Sequence, residues 1–114
     1  MNEWRELKTM LKALGDIVSI TIVYHLVHHE EITVTELTDL LDISQPLVSW
    51  HLRKLRRAGL ITTRRVGRQV YCSLNTSRFE LCVQRLQHLV DPATSMETFP
   101  AGAALAAAEM NLED

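Results

Sequence analysis

The sequence predicts a mainly α-helical domain carrying one small β-hairpin. Apolar residues recur at helical spacing through Trp4, Leu7, Leu11 and Leu14, and again through Phe79, Cys82, Leu86 and Leu89. Between those stretches, residues 60–65 and 69–74 read as two short strands joined by Val66-Gly67-Arg68. Charge supplies the third observation. Arg53, Lys54, Arg56, Arg57, Arg64, Arg65, Arg68 and Arg78 all fall within residues 43–79, which contain no Asp or Glu, although the chain's formal net charge is −2. All 14 acids lie outside that stretch. A positive helix followed by a positive hairpin tip is the electrostatic footprint of a winged helix-turn-helix on DNA. Solvated charges on an ordinary surface are the bland alternative, and the coincidence of charge with element order argues against it.

Each element has a local reason. Trp4, Met10 and the leucines make a first helix that Gly15 ends, and Asp16 caps a second. In residues 17–27, Ile20, Ile22 and Tyr24 alternate like a strand, while Ile17, Ile20, Val23, Tyr24 and Val27 fit a helix; the length and lack of breakers favour the helix. His28-His29-Glu30-Glu31 is a polar connection, and Ile32 is a candidate lone short strand. Thr33 and Glu36 form a capping box opening a third helix with Leu37, Leu40 and Leu41 as its buried stripe. Asp42-Ile43-Ser44 turns the chain; Ser44 is a good N-cap, and Pro46 is tolerated in the first turn of a fourth helix. That helix runs to about Ala58, with Leu47, Val48, Leu52 and Leu55 expected inside and Gly59 as its stop. Val70, Cys72 and Leu74 share one face of the second strand. Ser77 and Glu80 form a second capping box for a fifth helix reaching about Val90. Residues 1–91 therefore form one domain. Residues 92–114 form a C-terminal tail whose alanine-rich part fits a short helix or disorder.

At 114 residues the chain has a modest core, so part of its stability is expected from a partner subunit. Asn2-Glu3-Trp4-Arg5 does not open a signal peptide, and no apolar run approaches a membrane span. Two cysteines do not make a disulfide framework. The expectation is a cytoplasmic protein with no membrane partner.

Several blocks carry a family resemblance. They are Leu11-Lys12-Ala13-Leu14-Gly15-Asp16, Ser44-Gln45-Pro46-Leu47-Val48-Ser49-Trp50-His51-Leu52, Leu55-Arg56-Arg57-Ala58-Gly59-Leu60 and Gly67-Arg68-Gln69-Val70-Tyr71. With them the chain resembles the ArsR/SmtB family of bacterial winged-helix repressors over roughly residues 11–90. The resemblance implies a homodimer built on the first and fifth helices, with Trp4, Leu7, Leu11, Leu14, Phe79, Cys82, Leu86 and Leu89 at the interface. It also implies transcriptional control through an inverted-repeat operator. The chain departs from the family at Asp16-Ile17-Val18-Ser19, where members usually carry Asp-Pro-Thr-Arg.

A helix of this kind enters the major groove by its N-terminal half. Gln45 is suited to reading adenine, and Ser44, Ser49 and His51 to base edges or phosphates. Pro46 belongs to the same approach. Trp50 has two open readings, packing on the preceding helix or touching a thymine methyl or sugar. Arg53, Lys54 and Arg57 suit phosphates. Arg56 is expected to face solvent or an acid of its own subunit. Arg64, Arg65 and Arg68 occupy the wing, where an arginine enters the minor groove or clamps the backbone.

Many members of the family release DNA on binding a metal. The position of the thiolate Cys-Val-Cys run holds Thr33-Val34-Thr35, whose hydroxyls are poor ligands for soft metals. The fifth-helix ligand pairs of zinc and nickel sensors fall at Thr76 and Arg78 and at Leu89 and Pro92. No family metal site and no cofactor is therefore expected. Zinc at His25, His28, His29 or His88 is a minor alternative. Cys72 and Cys82 are a candidate redox pair, but both fall on apolar faces, where free cysteine commonly fills core space. The effector is left open. No Gly-rich phosphate loop or nucleophile elbow suggests an enzyme. The rival functions are a winged-helix protein-interaction module and a DNA-binding protein without sequence preference.

Overall fold

The computed structural model describes residues 3–94 and 101–109. The elements run α1 (Glu3–Leu14), α2 (Ile17–Val27), β1 (Ile32–Thr33), α3 (Val34–Leu41), α4 (Gln45–Arg57), β2 (Ile61–Val66), β3 (Gln69–Leu74), α5 (Thr76–Leu89) and α6 (Ala103–Glu109). The three strands form one antiparallel sheet in the order β1-β3-β2. Ile32 is therefore not a lone strand; it pairs with Cys72 across the central strand. The tail is helical over Ala103–Glu109. Residues 92–94 and 101–102 of the tail are not helical, and residues 95–100 and 110–114 lie outside the described part. No single helix among the described residues is long and apolar enough to cross a membrane.

Local chemistry sets the helix ends. Asp16 accepts from the Ser19 backbone N–H at 2.9 Å and starts α2. Thr33 and Glu36 form the reciprocal capping box of α3, each backbone N–H meeting the other's side chain. These bonds from Thr33 hold the Glu36 carboxyl below its ordinary range. Ser44 caps α4, with Pro46 in its first turn. At α5 the cap differs from the expectation. Asn75, not Ser77, accepts from the Arg78 N–H at 3.2 Å, so the helix begins two residues before the place the Ser77/Glu80 pattern indicates.

The core gathers Leu7, Met10, Ile22, Leu26, Ile32, Leu37, Val48, Leu55, Leu60, Ile61, Cys72 and Cys82 from every element of the winged domain. The phase of three helices differs from the expected stripes. In α2 the buried face is Ser19, Ile22, Val23 and Leu26, which leaves Ile17, Ile20, Tyr24 and Val27 exposed. In α3 Leu37 is buried and Leu41 packs at the core's edge, but Leu40 is exposed. In α4 Leu47 is exposed, and its expected place in the stripe is taken by His51. The α4 stripe is thus Val48, His51, Leu52 and Leu55, an i, i+3, i+4, i+7 series on one helical face.

Helices α1 and α5 pack together and are tied by ion pairs. Arg78 donates to Glu6 at 3.1 Å and to the Ala58 carbonyl at 3.4 Å. Arg85 lies 3.3 Å from Glu6. The Arg85 guanidinium beside it, and then the charge of Arg78, hold the Glu6 carboxyl below its usual range against the opposing effect of burial. Trp4, Leu7 and Cys82 fill this protomer's own core. Leu14 and Phe79 pack against that core, whereas Leu11, Leu86 and Leu89 remain exposed. Of the eight residues expected between subunits, three are thus already covered without a partner.

Candidate nucleic-acid interface

The face built by the start of α4 and the wing is open. Ser44, Gln45 and Pro46 are exposed, Ser49 is half-buried, and Arg53 and Arg57 are exposed further along the helix. Leu47 and Trp50 are exposed apolar residues of α4, and Val66 is one of the wing. Trp50 is 48 % exposed, so it does not pack into the preceding helix. Its ring meets His51 edge-on at 4.8 Å and carries the Lys54 ammonium 4.5 Å from its centroid. Lys54 also approaches Asp16 at 3.9 Å, which draws it back along α4.

His51 does not belong to this face. It is 6 % exposed, and its Nδ1 lies 3.3 Å from both Ser19 Oγ and Asp16 Oδ2. The expected base-edge role of His51 is therefore corrected: its imidazole fixes α4 on α2. Ser19, fully buried, occupies the position where the resemblance places an arginine. Asp16, Ser19 and His51 form a positioning group that the motif reading missed. The signal was in the spacing, since Ser19 and His51 each occupy a place in an apolar i, i+3, i+4, i+7 series.

In the wing, β2 and β3 pair through Val66 and Gln69, leaving a two-residue turn, Gly67-Arg68. Gly67 has φ of +60° at the first turn position, which side-chain-bearing residues adopt only with strain and tight hairpins commonly give to glycine. Arg65 and Arg68 are exposed. Arg64 has a different role. It donates to Glu31 through Nε at 2.6 Å and Nη2 at 2.7 Å, and its guanidinium lies 4.6 Å from the Tyr71 ring centroid. Tyr71 is its cross-strand neighbour, so the side chain spans the outer face of the sheet from β2 over β3 toward the residue preceding β1. Glu31 is held below its ordinary range chiefly by this hydrogen bonding. Arg78, the last base of the acid-free stretch, is paired with Glu6.

The remaining candidates lie elsewhere. His28 and His29 bond through Nδ1 to the carbonyls of Tyr24 and His25, both at 2.7 Å. His88 stacks on Trp4 with ring centroids 5.5 Å apart. Among the described residues no group of three His, Cys, Asp or Glu stands close enough to hold a metal ion. Cys72 and Cys82 are free, buried thiols on β3 and α5. Burial pushes the Cys72 thiol up to about 11, with Arg56 opposing, and it raises Cys82 as well. Neither environment favours the reactive thiolate.

A three-stranded wing beside an exposed, capped helix that follows a short helix and a tight turn defines a winged helix-turn-helix protein. The family model for bacterial regulatory proteins of the arsR family matches residues 20–63. The chain is 40 % identical over 81 residues to the transcriptional repressor SmtB of Mycobacterium tuberculosis, covering 71 % of this chain and 54 % of that protein. It is 32 % identical over 80 residues to the transcriptional activator HlyU of Vibrio cholerae, covering 70 % of this chain and 73 % of HlyU. Among solved structures, the repressor BigR from Xylella fastidiosa superposes with a TM-score of 0.59 at 31 % identity, over 76 % of this chain and 88 % of that one. The chain belongs to the arsR family. It spans about half the length of the SmtB relative. These relatives are named as regulators of transcription, one of them an activator.

Proposed function

We propose that this protein is a sequence-specific DNA-binding regulator, acting as a homodimer on an inverted repeat and repressing transcription in the cytoplasm. The observation that carries the reading is the exposed surface from Ser44, Gln45 and Trp50 through Arg53 and Arg57 to Arg65 and Arg68, all drawn from the stretch of sequence that holds no acid. A helix N-terminus with short polar side chains suits base edges, and flanking guanidinium groups suit phosphates. The exposed Leu11, Val83, Leu86 and Leu89 on α1 and α5 support a dimer through those helices. Such a dimer presents two α4 helices about 34 Å apart, one turn of DNA. The repressors among the relatives support repression; HlyU shows that the family also contains an activator.

The test is selection of duplexes from a random pool by the purified, reduced protein at physiological salt. Enrichment of an inverted repeat supports the reading. A folded dimer that enriches no motif overturns it in favour of non-specific binding or a protein-interaction module. On the selected operator, Gln45→Ala relaxes preference at one position, and Arg68→Ala weakens specific and random DNA about equally. Equal losses on both DNAs for Gln45→Ala remove it as a base reader.

A further inference from the structure

Between α4 and the inner face of the wing lies an open cleft of about 550 Å³. That volume falls within the ~300–1,000 Å³ range of small-molecule sites. Its depth is apolar: Val34 from α3, Leu52 from α4, and Val70 and Cys72 from β3 line it, with Cys72 fully buried and Leu52 nearly so. Its rim is cationic. Arg53 and Arg56 come from α4 and Arg65 from β2; all three are exposed and border the cleft. Among the described residues none of the three has an acidic partner, in contrast to Arg64, Arg78 and Arg85. Among the described residues no acid lines the cleft, while Ser49 and Thr63 add hydroxyls. Arg56 is near enough for its charge to act on the Cys72 thiol at the bottom.

Three uncompensated guanidinium groups around a concave, partly apolar surface concentrate anions. Arginine forks match carboxylate and phosphate oxygens, and the apolar depth rewards a ligand body that inorganic ions lack. We propose that this cleft binds a small organic anion, a phosphate or carboxylate on an apolar body, with the anion held by Arg53, Arg56 and Arg65 and the body against Val34, Leu52 and Val70. Arg53 and Arg65 also belong to the proposed DNA surface, so a bound anion competes with DNA. This second half rests on the DNA-binding reading; the binding of the anion does not.

The experiment is a methyl NMR titration of the full chain, following Val34, Leu52 and Val70, with four probes. Phenyl phosphate and phenylacetate carry both features and separate the two anion types. Inorganic phosphate lacks the apolar body, and benzyl alcohol lacks the charge. Saturable shifts at these methyls with at least one aryl anion, roughly tenfold tighter than with either control, support the site; tenfold corresponds to about 1.4 kcal/mol. Arg56→Gln, with its methyl dispersion intact, then weakens the aryl anion about tenfold. Equal binding of inorganic phosphate, equal binding of benzyl alcohol, or no localised shift with either aryl anion overturns the proposal on the wild-type protein alone. A parallel DNA titration separates the two readings. Ligand binding without displacement of DNA overturns the competition only, and absence of any DNA binding overturns the regulator reading while leaving the anion site standing.

Discussion

Replacing His51 with alanine separates a positioning histidine from a base-reading one. The imidazole is 6 % exposed and meets Ser19 Oγ and Asp16 Oδ2, each at 3.3 Å. Ser19 is fully buried, so the truncation strands a hydroxyl whose remaining side-chain partner is Asp16 at a long 3.5 Å. A buried hydroxyl left with a poor partner costs about 1–3 kcal/mol. The vacated ring volume in a packed stripe with Val48, Leu52 and Leu55 adds a cavity cost of a similar order. The expected loss is about 2–4 kcal/mol. For a domain of this size it lowers the unfolding midpoint by roughly 8–30 °C, at about 4–8 °C per kcal/mol. Thermal unfolding followed by circular dichroism reads the loss. Ser19→Ala removes the same bond, so the double variant is less destabilised than the sum of the singles. Base preference on the selected operator stays unchanged, although affinity falls with the folded fraction. A His51→Ala protein that melts within a few degrees of wild type yet prefers a different base at one position refutes the reasoning.

Gly67→Ala is expected to cost about 1–2 kcal/mol through its positive φ alone, because nothing lies within 4 Å of the added Cβ. Gly59→Ala costs more, since φ is +79° and the new Cβ lies 3.0 Å from Arg78 Nε, so that side chain must give way by a few tenths of an ångström and strain its 3.4 Å bond to the Ala58 carbonyl; equal losses in urea unfolding contradict this. Glu6 is held below its ordinary carboxyl range, so its folded state binds fewer protons than its unfolded state at mildly acidic pH. Its contribution is therefore present above the unfolded value of about 4.3 and is lost as pH falls through the folded one. The stability gap between wild type and Glu6→Gln closes on acidification, and a gap unchanged by pH removes the ion pairs as its cause. Cys72, with its thiol raised to about 11 and fully buried, reacts with iodoacetamide at neutral pH on the order of a hundredfold more slowly than in unfolded protein; comparable rates in the two states contradict the burial.

Features decided by neighbours in sequence were readable from it. The Thr33/Glu36 box, the Ser44-Gln45-Pro46 helix start, and the breaks at Gly59 and Gly67 each depend on residues a few positions apart. Features decided by helix rotation were less so. Residues 17–27 are apolar on every side, so their sequence does not distinguish the buried Ile22, Val23 and Leu26 from the exposed Ile20, Tyr24 and Val27. His51 looks polar and lies in a DNA-reading block, and only its spacing from Val48 and Leu55 marks it as internal. The Ser77/Glu80 pattern points to a later start for α5 than the Asn75 cap that forms, because the start depends on where the wing releases the chain. Arg64–Glu31 and Arg78–Glu6 join residues far apart in sequence, and no local pattern announces them.

The Arg64–Glu31 fork has a thermodynamic consequence for salt dependence. DNA binding gains entropy when protein cations displace ions condensed on phosphates, by roughly 0.9 in the log–log slope per phosphate neutralised. An arginine already neutralised by its own carboxylate displaces none unless it first gives up that partner. Of the eight bases counted along the sequence, Arg64 and Arg78 are spent in this way, and Lys54 leans toward Asp16. Arg53, Arg56, Arg57, Arg65 and Arg68 remain, which caps the slope near −9 for two protomers at about 0.9 per contact. Loosening the fork hands the duplex one more cation on each side without adding a base contact. Affinity rises under that change, but discrimination between sequences does not.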